Sequence, residues 1–173
     1  SLSLSMNGAS GELLRASGNV TLDLFGFFQT TGNYAFERGL QSVTLADGSV
    51  VRAQLMTVGA SGASAFVGVG GASVGQGLNL TGVDLALAMA TDTNDTARSW
   101  TSLSASAGAA SFTGIAGLTL SATSIGVVIN QATLAQDAVM DSLVAPISVA
   151  TGTGQSTELK LDGKQGERLS ASA

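Results

Sequence analysis

The chain has no cysteine and no histidine, a single proline among 173 residues, and only 11 % charged and 5 % aromatic residues. Without cysteine there is neither a disulfide framework nor a thiolate metal site. Without histidine a Ser-His-Asp relay cannot be built, and no GxxxxGK phosphate loop occurs. Paired carboxylates are the remaining catalytic option, and no neighbouring pair stands out, so the chain is not expected to be an enzyme. Seven Lys and Arg are scattered among twelve Asp and Glu, for a net charge of −5. A phosphate-tracking surface needs clustered cations, so nucleic acid is not an expected partner. No uninterrupted apolar run reaches spanning length, and no membrane span is expected.

What fills the chain instead is small and apolar: 45 % hydrophobic residues and 23 glycines, with abundant Ala, Ser and Thr. Gly, Ser and Thr are poor in helix interiors and suit extended strands joined by tight turns. Within that background one stretch is said twice. Leu4 to Gly18, LSMNGASGELLRASG, returns as Leu159 to Ala173, LKLDGKQGERLSASA, with Glu12 falling on Glu167 at an offset of 155 residues. Seven of the fifteen aligned positions are identical: Leu4, Gly8, Gly11, Glu12, Leu14, Ala16 and Ser17 recur as Leu159, Gly163, Gly166, Glu167, Leu169, Ala171 and Ser172. Self-similarity at a fixed period marks a repeat architecture. Residues 1–155 therefore read as one repeat unit and 156–173 as the start of the next. The first residue is Ser1, and with the duplicated motif the chain is expected to be a piece of a longer array.

Alternation of apolar and polar residues predicts strands throughout. LSLSM at the start, Val20 to Phe28, and Val83 to Met89 all follow it. Asn7-Gly8, Asp47-Gly48 and Asp162-Gly163 supply hairpin turns. A two-residue Asp47-Gly48 loop puts Leu45 opposite Val50 and Val43 opposite Arg52. Thr30 to Asn33 is read as another turn, with a bulge near Gly26. Phe25, Phe27, Phe28, Tyr34 and Phe36 are read as the core of that hairpin. Phe66 and Phe112 head a weaker sub-repeat, each followed by a Leu-x-Leu strand. Val83, Leu85, Leu87 and Met89 put large side chains on one face while Ala86, Ala88 and Ala90 keep the other small, and Ile125, Val127 and Ile129 repeat the large face. The large side then fills a core, and the small side admits a second backbone. Thr91 to Arg98 is a polar loop, and Ala132 to Asp141 has the pattern of a short helical turn. The expected fold is all-β: an elongated tandem-repeat module, mostly an antiparallel meander curling on itself, with a parallel β-solenoid as the alternative.

The segments GELLRASGNVTLDLFGFF, ASAFVGV, DLALAMATD, ARSWTSLSASAGAASFTGIAGLTLSA and VVINQA resemble the long tandem repeats of giant secreted bacterial proteins of the adhesin-like or surface-filament kind. The resemblance covers most of the chain and carries no catalytic motif. It implies an extracellular or cell-surface location and an elongated structural scaffold.

Two sets of residues are singled out. Asp92, Asn94 and Asp95 bring oxygen ligands together at short spacing, as a calcium loop does; a solvated turn held by side chain to backbone bonds is the favoured reading of the same residues. No other cofactor is expected. Leu4, Met6, Glu12 and Leu14, with their counterparts Leu159, Leu161, Glu167 and Leu169, belong to the duplicated motif and are expected to mediate head-to-tail self-association. Glu12 is expected to pair with Arg15 or with an arginine of a neighbouring unit. The rival reading is a binding module, for a surface glycan with calcium or for lipid in a groove lined by Val83, Leu85, Leu87, Ile125, Val127 and Ile129.

Overall fold

The computed structural model describes residues 12–71, 75–114 and 120–173. Among the described residues nine strands follow one another: β1 (Leu13–Leu24), β2 (Phe28–Thr44), β3 (Val50–Val69), β4 (Gln76–Asp92), β5 (Ser99–Thr113), β6 (Leu120–Ala132), β7 (Ile147–Gly152), β8 (Gln155–Leu159) and β9 (Arg168–Ser172). A seven-stranded sheet runs in the order β1-β2-β3-β4-β5-β6-β9, and β7 and β8 form a separate two-stranded sheet. Every pairing is antiparallel. The antiparallel meander is thus borne out and the parallel solenoid is not; the sheet stays open and does not close into a barrel.

The turns explain where the expected registers slip. Between β1 and β2 the corner is Phe25-Gly26, both at positive φ (53° and 71°), with the Phe27 N–H donating to the Leu24 carbonyl at 3.0 Å. Two left-handed residues in succession are the signature of a type I′ turn. Thr30 to Asn33 accordingly lies inside β2, and Phe25 stands 95 % exposed at the corner. Phe27 is exposed as well, so these aromatics do not form a hairpin core. The β2–β3 loop is one residue longer than expected. The Gly48 N–H donates to the Leu45 carbonyl, Gly48 sits at φ 84°, and Val43 falls opposite Val51. That slip turns Val43 and Leu45 into the core, where both are buried. Ala132 to Asp141 makes a single turn, closed by the Asp137 N–H on the Leu134 carbonyl, and no helix.

Packing follows the division of faces, with one exchange. The small face is the covered one. Gly39, Leu55, Ala90 and Trp100 lie in one cross-strand row, and Thr57, Ala88, Ser102 and Asn130 lie in the next. Over them lie β7 and β8 with Ile147, Val149 and Leu159, joined by Val43, Leu45 and Met140 in one buried cluster. The approach is close enough that a Cβ on Gly59 would collide with the Ala150 carbonyl oxygen. Trp100, the chain's one tryptophan, is 1 % exposed and donates its indole N–H to the Ala138 carbonyl at 2.9 Å. Truncating a buried tryptophan costs about 3–5 kcal/mol. Ser102 donates to Asn130 Oδ1 at 2.7 Å, and Asn130 Nδ2 donates to the Met140 carbonyl at 2.9 Å, so these two are paired, whereas the buried Thr57 hydroxyl in the same row has no hydrogen-bond partner.

The large face does not fill a core. Phe36, Val58, Leu87, Leu103 and Ile129 lie opposite one another in a continuous row, half-buried by their neighbours in the sheet. Among the described residues, the elements that pack on the sheet lie on the other face.

Candidate functional site: the two edges of the sheet

Strand β1 is the terminal strand on one side. It pairs with β2 from Leu13 opposite Gly39 to Leu24 opposite Phe28, and among the described residues its outer edge has no partner strand. Leu13, Leu14, Val20, Leu22 and Leu24 are all exposed on it, Leu14 by 59 %. It has twelve residues, and Arg15 and Asp23 are its only charges. Long apolar edges are the kind natural sheets usually blunt with proline, lysine or bulges. Arg15 forms an ion pair with Glu37 on β2, in register, so the expected Glu12–Arg15 pair is replaced by a cross-strand one.

The other edge is β9, which is the second copy of the start of β1. It pairs with β6, with Arg168 opposite Asn130, Leu169 opposite Ile129, Ala171 opposite Val127 and Ser172 opposite Gly126. Just before it, Glu167 accepts the Ala132 backbone N–H at 3.3 Å. The Glu167 carboxylate therefore holds the end of the neighbouring strand, while its counterpart Glu12 stands exposed just before β1. Leu169 is 72 % exposed.

Between these edges, the other repeated residues have a different place. Leu159 ends β8, lies opposite Ile147 and is 0 % exposed; Leu161 packs against the same cluster. The Leu161 N–H donates to Ser142 Oγ at 2.8 Å, and its carbonyl accepts the Leu143 N–H at 2.9 Å. Asp162-Gly163 begins a 3-10 turn, with Asp162 capping the Lys164 N–H. It does not form a hairpin: the strands on its two sides, β8 and β9, belong to different sheets. Leu4 and Met6 lie outside the described residues.

The Asp92 loop is tied down on several sides. Asp92 is buried; its Oδ1 accepts the Asn94 N–H at 2.8 Å and its Oδ2 accepts Arg98 Nη1 at 3.0 Å. Asp95 accepts the Ala97 N–H at 3.1 Å. Arg98 also donates Nε to Asp137 at 3.0 Å and stacks 5.1 Å from the centre of the Trp100 ring. The bond to Asp137, followed by the charges of Asp137, Asp92 and Asp95, holds the guanidinium above its already high ordinary pKa. This Asp92–Arg98–Asp137 arrangement clamps the β4–β5 loop onto the 132–141 segment. The sequence showed its acids but not the link to Asp137, which is 39 residues from Arg98. Among the described residues, no group of three acidic side chains stands at metal-binding spacing.

Among the described residues, Val83, Leu85, Leu87, Ile125, Val127 and Ile129 stand half-buried on the large face of a sheet that is not closed into a barrel. A polar cleft of about 770 Å³ opens where the sheet meets the β7–β8 turn, with Asp84, Ser104, Ser106 and Glu158 on its walls. Asp84 accepts the Gly62 N–H at 3.0 Å and Glu158 pairs with Lys160, so both carboxylates have partners. Among the described residues, no helix is long and apolar enough to cross a membrane. Comparison with family models, with curated proteins and with solved structures finds no match for this chain.

Proposed function

We infer that this chain is a structural repeat segment of a large secreted bacterial surface protein or filament, whose units join head to tail through the strands of the duplicated motif. The observation that carries the reading is β9: the motif that opens β1 recurs 155 residues later, and its second copy pairs with β6 of the unit before it. The core supports it too. Leu159 and Leu161 belong by sequence to the next repeat, yet they close the core of this one. A unit of this kind is completed by its successor, as neighbour-dependent repeat proteins are. The small-residue composition, the absence of cysteine and the resemblance to giant surface repeats fit a location outside the cell.

Electron microscopy of chains carrying one, two and four copies at the 155-residue offset tests this. Unbranched rods whose length grows in proportion to copy number are expected. Separate beads at variable spacing would sink the array reading.

A further inference from the structure

We propose that the exposed edge of β1 is the seat of β6 from a preceding copy of this same unit, in the register that β9 has on β6, so that successive units share one uninterrupted sheet. The proposal rests on the array reading above and adds the partner strand, the register and the geometry.

Two copies of one motif carry the argument. In the first, β1 reveals its β2 side; in the second, β9 reveals the opposite side, against β6. An antiparallel strand has one hydrogen-bonding edge for each neighbour, and the two views use different edges without conflict. Overlaying Leu169 on Leu14 then assigns the partners across the seam. Ile129 of the preceding copy faces Leu14, Val128 faces Arg15, Val127 faces Ala16 and Gly126 faces Ser17. Glu12 receives the Ala132 N–H of that copy, as Glu167 does here. The identity of Ala16 and Ser17 with Ala171 and Ser172 keeps small side chains where Val127 and Gly126 approach. The apolar edge of β1 thus reads as an interior strand that lacks one neighbour.

The same registers fix the geometry of the array. From Ala16 the pairings lead through Phe36, Val58, Leu87, Leu103 and Ile129 to Leu169, which is the copy of Leu14. One unit therefore adds six strands and slips by two residues. At strand spacings of about 4.8 Å and rises of about 3.4 Å, that is about 29 Å across the strands and about 7 Å along them. The strands lie nearly crosswise to the direction of growth, and the half-buried row on the large face continues from unit to unit.

A cysteine-free chain gives a clean background for crosslinking. In a two-copy protein, residues 1–155 followed by the full chain, Val127→Cys in the first copy is combined with Ala16→Cys in the second. Facing Cα atoms in an antiparallel pair lie within disulfide range. Near-complete oxidation to the intramolecular disulfide is expected for this pair. The partner-shifted pair, Val127→Cys with Arg15→Cys, points to opposite faces and is expected to stay reduced. Urea titration of the reduced proteins checks that each variant folds. Crosslinking of the shifted pair, or of neither pair in folded protein, overturns the seam. Rods that lengthen with copy number but fail to crosslink would reject this register while leaving the array, and crosslinking without rods would do the reverse.

Discussion

Strands β1 and β9 are two copies of one short motif in opposite situations. β1 is twelve residues long and has its neighbour on the β2 side, whereas β9 is five residues long and has its neighbour on the β6 side. Neither strand alone explains why an edge should carry Leu13, Leu14, Val20 and Leu22 in the open. In the proposed array they are one strand with two flanks, each copy displaying the flank the other lacks. The lesson extends to the core: β8, which also begins the second repeat, closes a layer whose other residues come from the first.

The largest break in this comparison is to end the chain at Gln155. That removes Leu159, Leu161 and β9 while leaving one whole sequence repeat. Losing a fully buried leucine costs about 2–5 kcal/mol by itself, a large share of the ~5–15 kcal/mol that holds a domain together. The truncated chain is expected to lose its cooperative thermal transition by circular dichroism, and a melting curve like that of the full chain would show that the second repeat's residues are dispensable. A smaller effect separates two glycines. Gly59→Ala drives a methyl group into the Ala150 carbonyl, whereas Gly18 on β1 has open space around it. Gly59→Ala is expected to cost about 1–3 kcal/mol in urea unfolding, as overpacking does. Gly18→Ala is expected to change stability by less than about 0.5 kcal/mol.

Smaller again is the effect of charge on the edge. Leu14→Lys in a single copy is expected to shift stability within about 0.5 kcal/mol, because the side chain is largely in water. In the second copy of a two-copy chain the same substitution meets Ile129 across the seam and is expected to cost about 0.5–1 kcal/mol. Equal effects in the two settings would mean that β1 gains no neighbour. The smallest effect is local to the β1–β2 corner. The Gln29 amide and then the Gly26 N–H hold the Asp23 carboxyl below its ordinary pKa. Its contribution is therefore present above the unfolded-state pKa of about 3.9 and is lost as pH falls through the lower folded value. The protection of the Gly26 amide, its exchange rate taken relative to the intrinsic rate at each pH, is expected to fall in that acid window in the native chain, and Asp23→Asn is expected to remove the change.

Much of this was legible in the sequence, and the failures have identifiable causes. Period-two alternation and small residues were enough for an antiparallel meander, because both strand faces need only their own parity to be read. The contrast between Ala86, Ala88, Ala90 and Leu85, Leu87, Met89 correctly located the close approach of a second layer. It misassigned the core, since volume alone does not say which face is covered when the covering strands β7 and β8 are short and distant in sequence. Registers slipped wherever left-handed backbone angles decided the loop: Gly48 lengthened the β2–β3 turn, and Phe25, an unusual residue for positive φ, moved the first turn away from Thr30. The duplicated motif was plain. That its halves serve different sheets was not, because Asp162-Gly163 reads as a hairpin turn until the 3-10 geometry is seen.

The increment in rod length per added copy tests the central claim most directly. Electron microscopy of two- and four-copy chains is expected to give about 30 Å for each 155 residues, the width of six strands with their two-residue slip. Units joined end to end along their strands would instead add about 65–70 Å each, the span of a twenty-residue strand such as β3, and that result would contradict the continuous sheet.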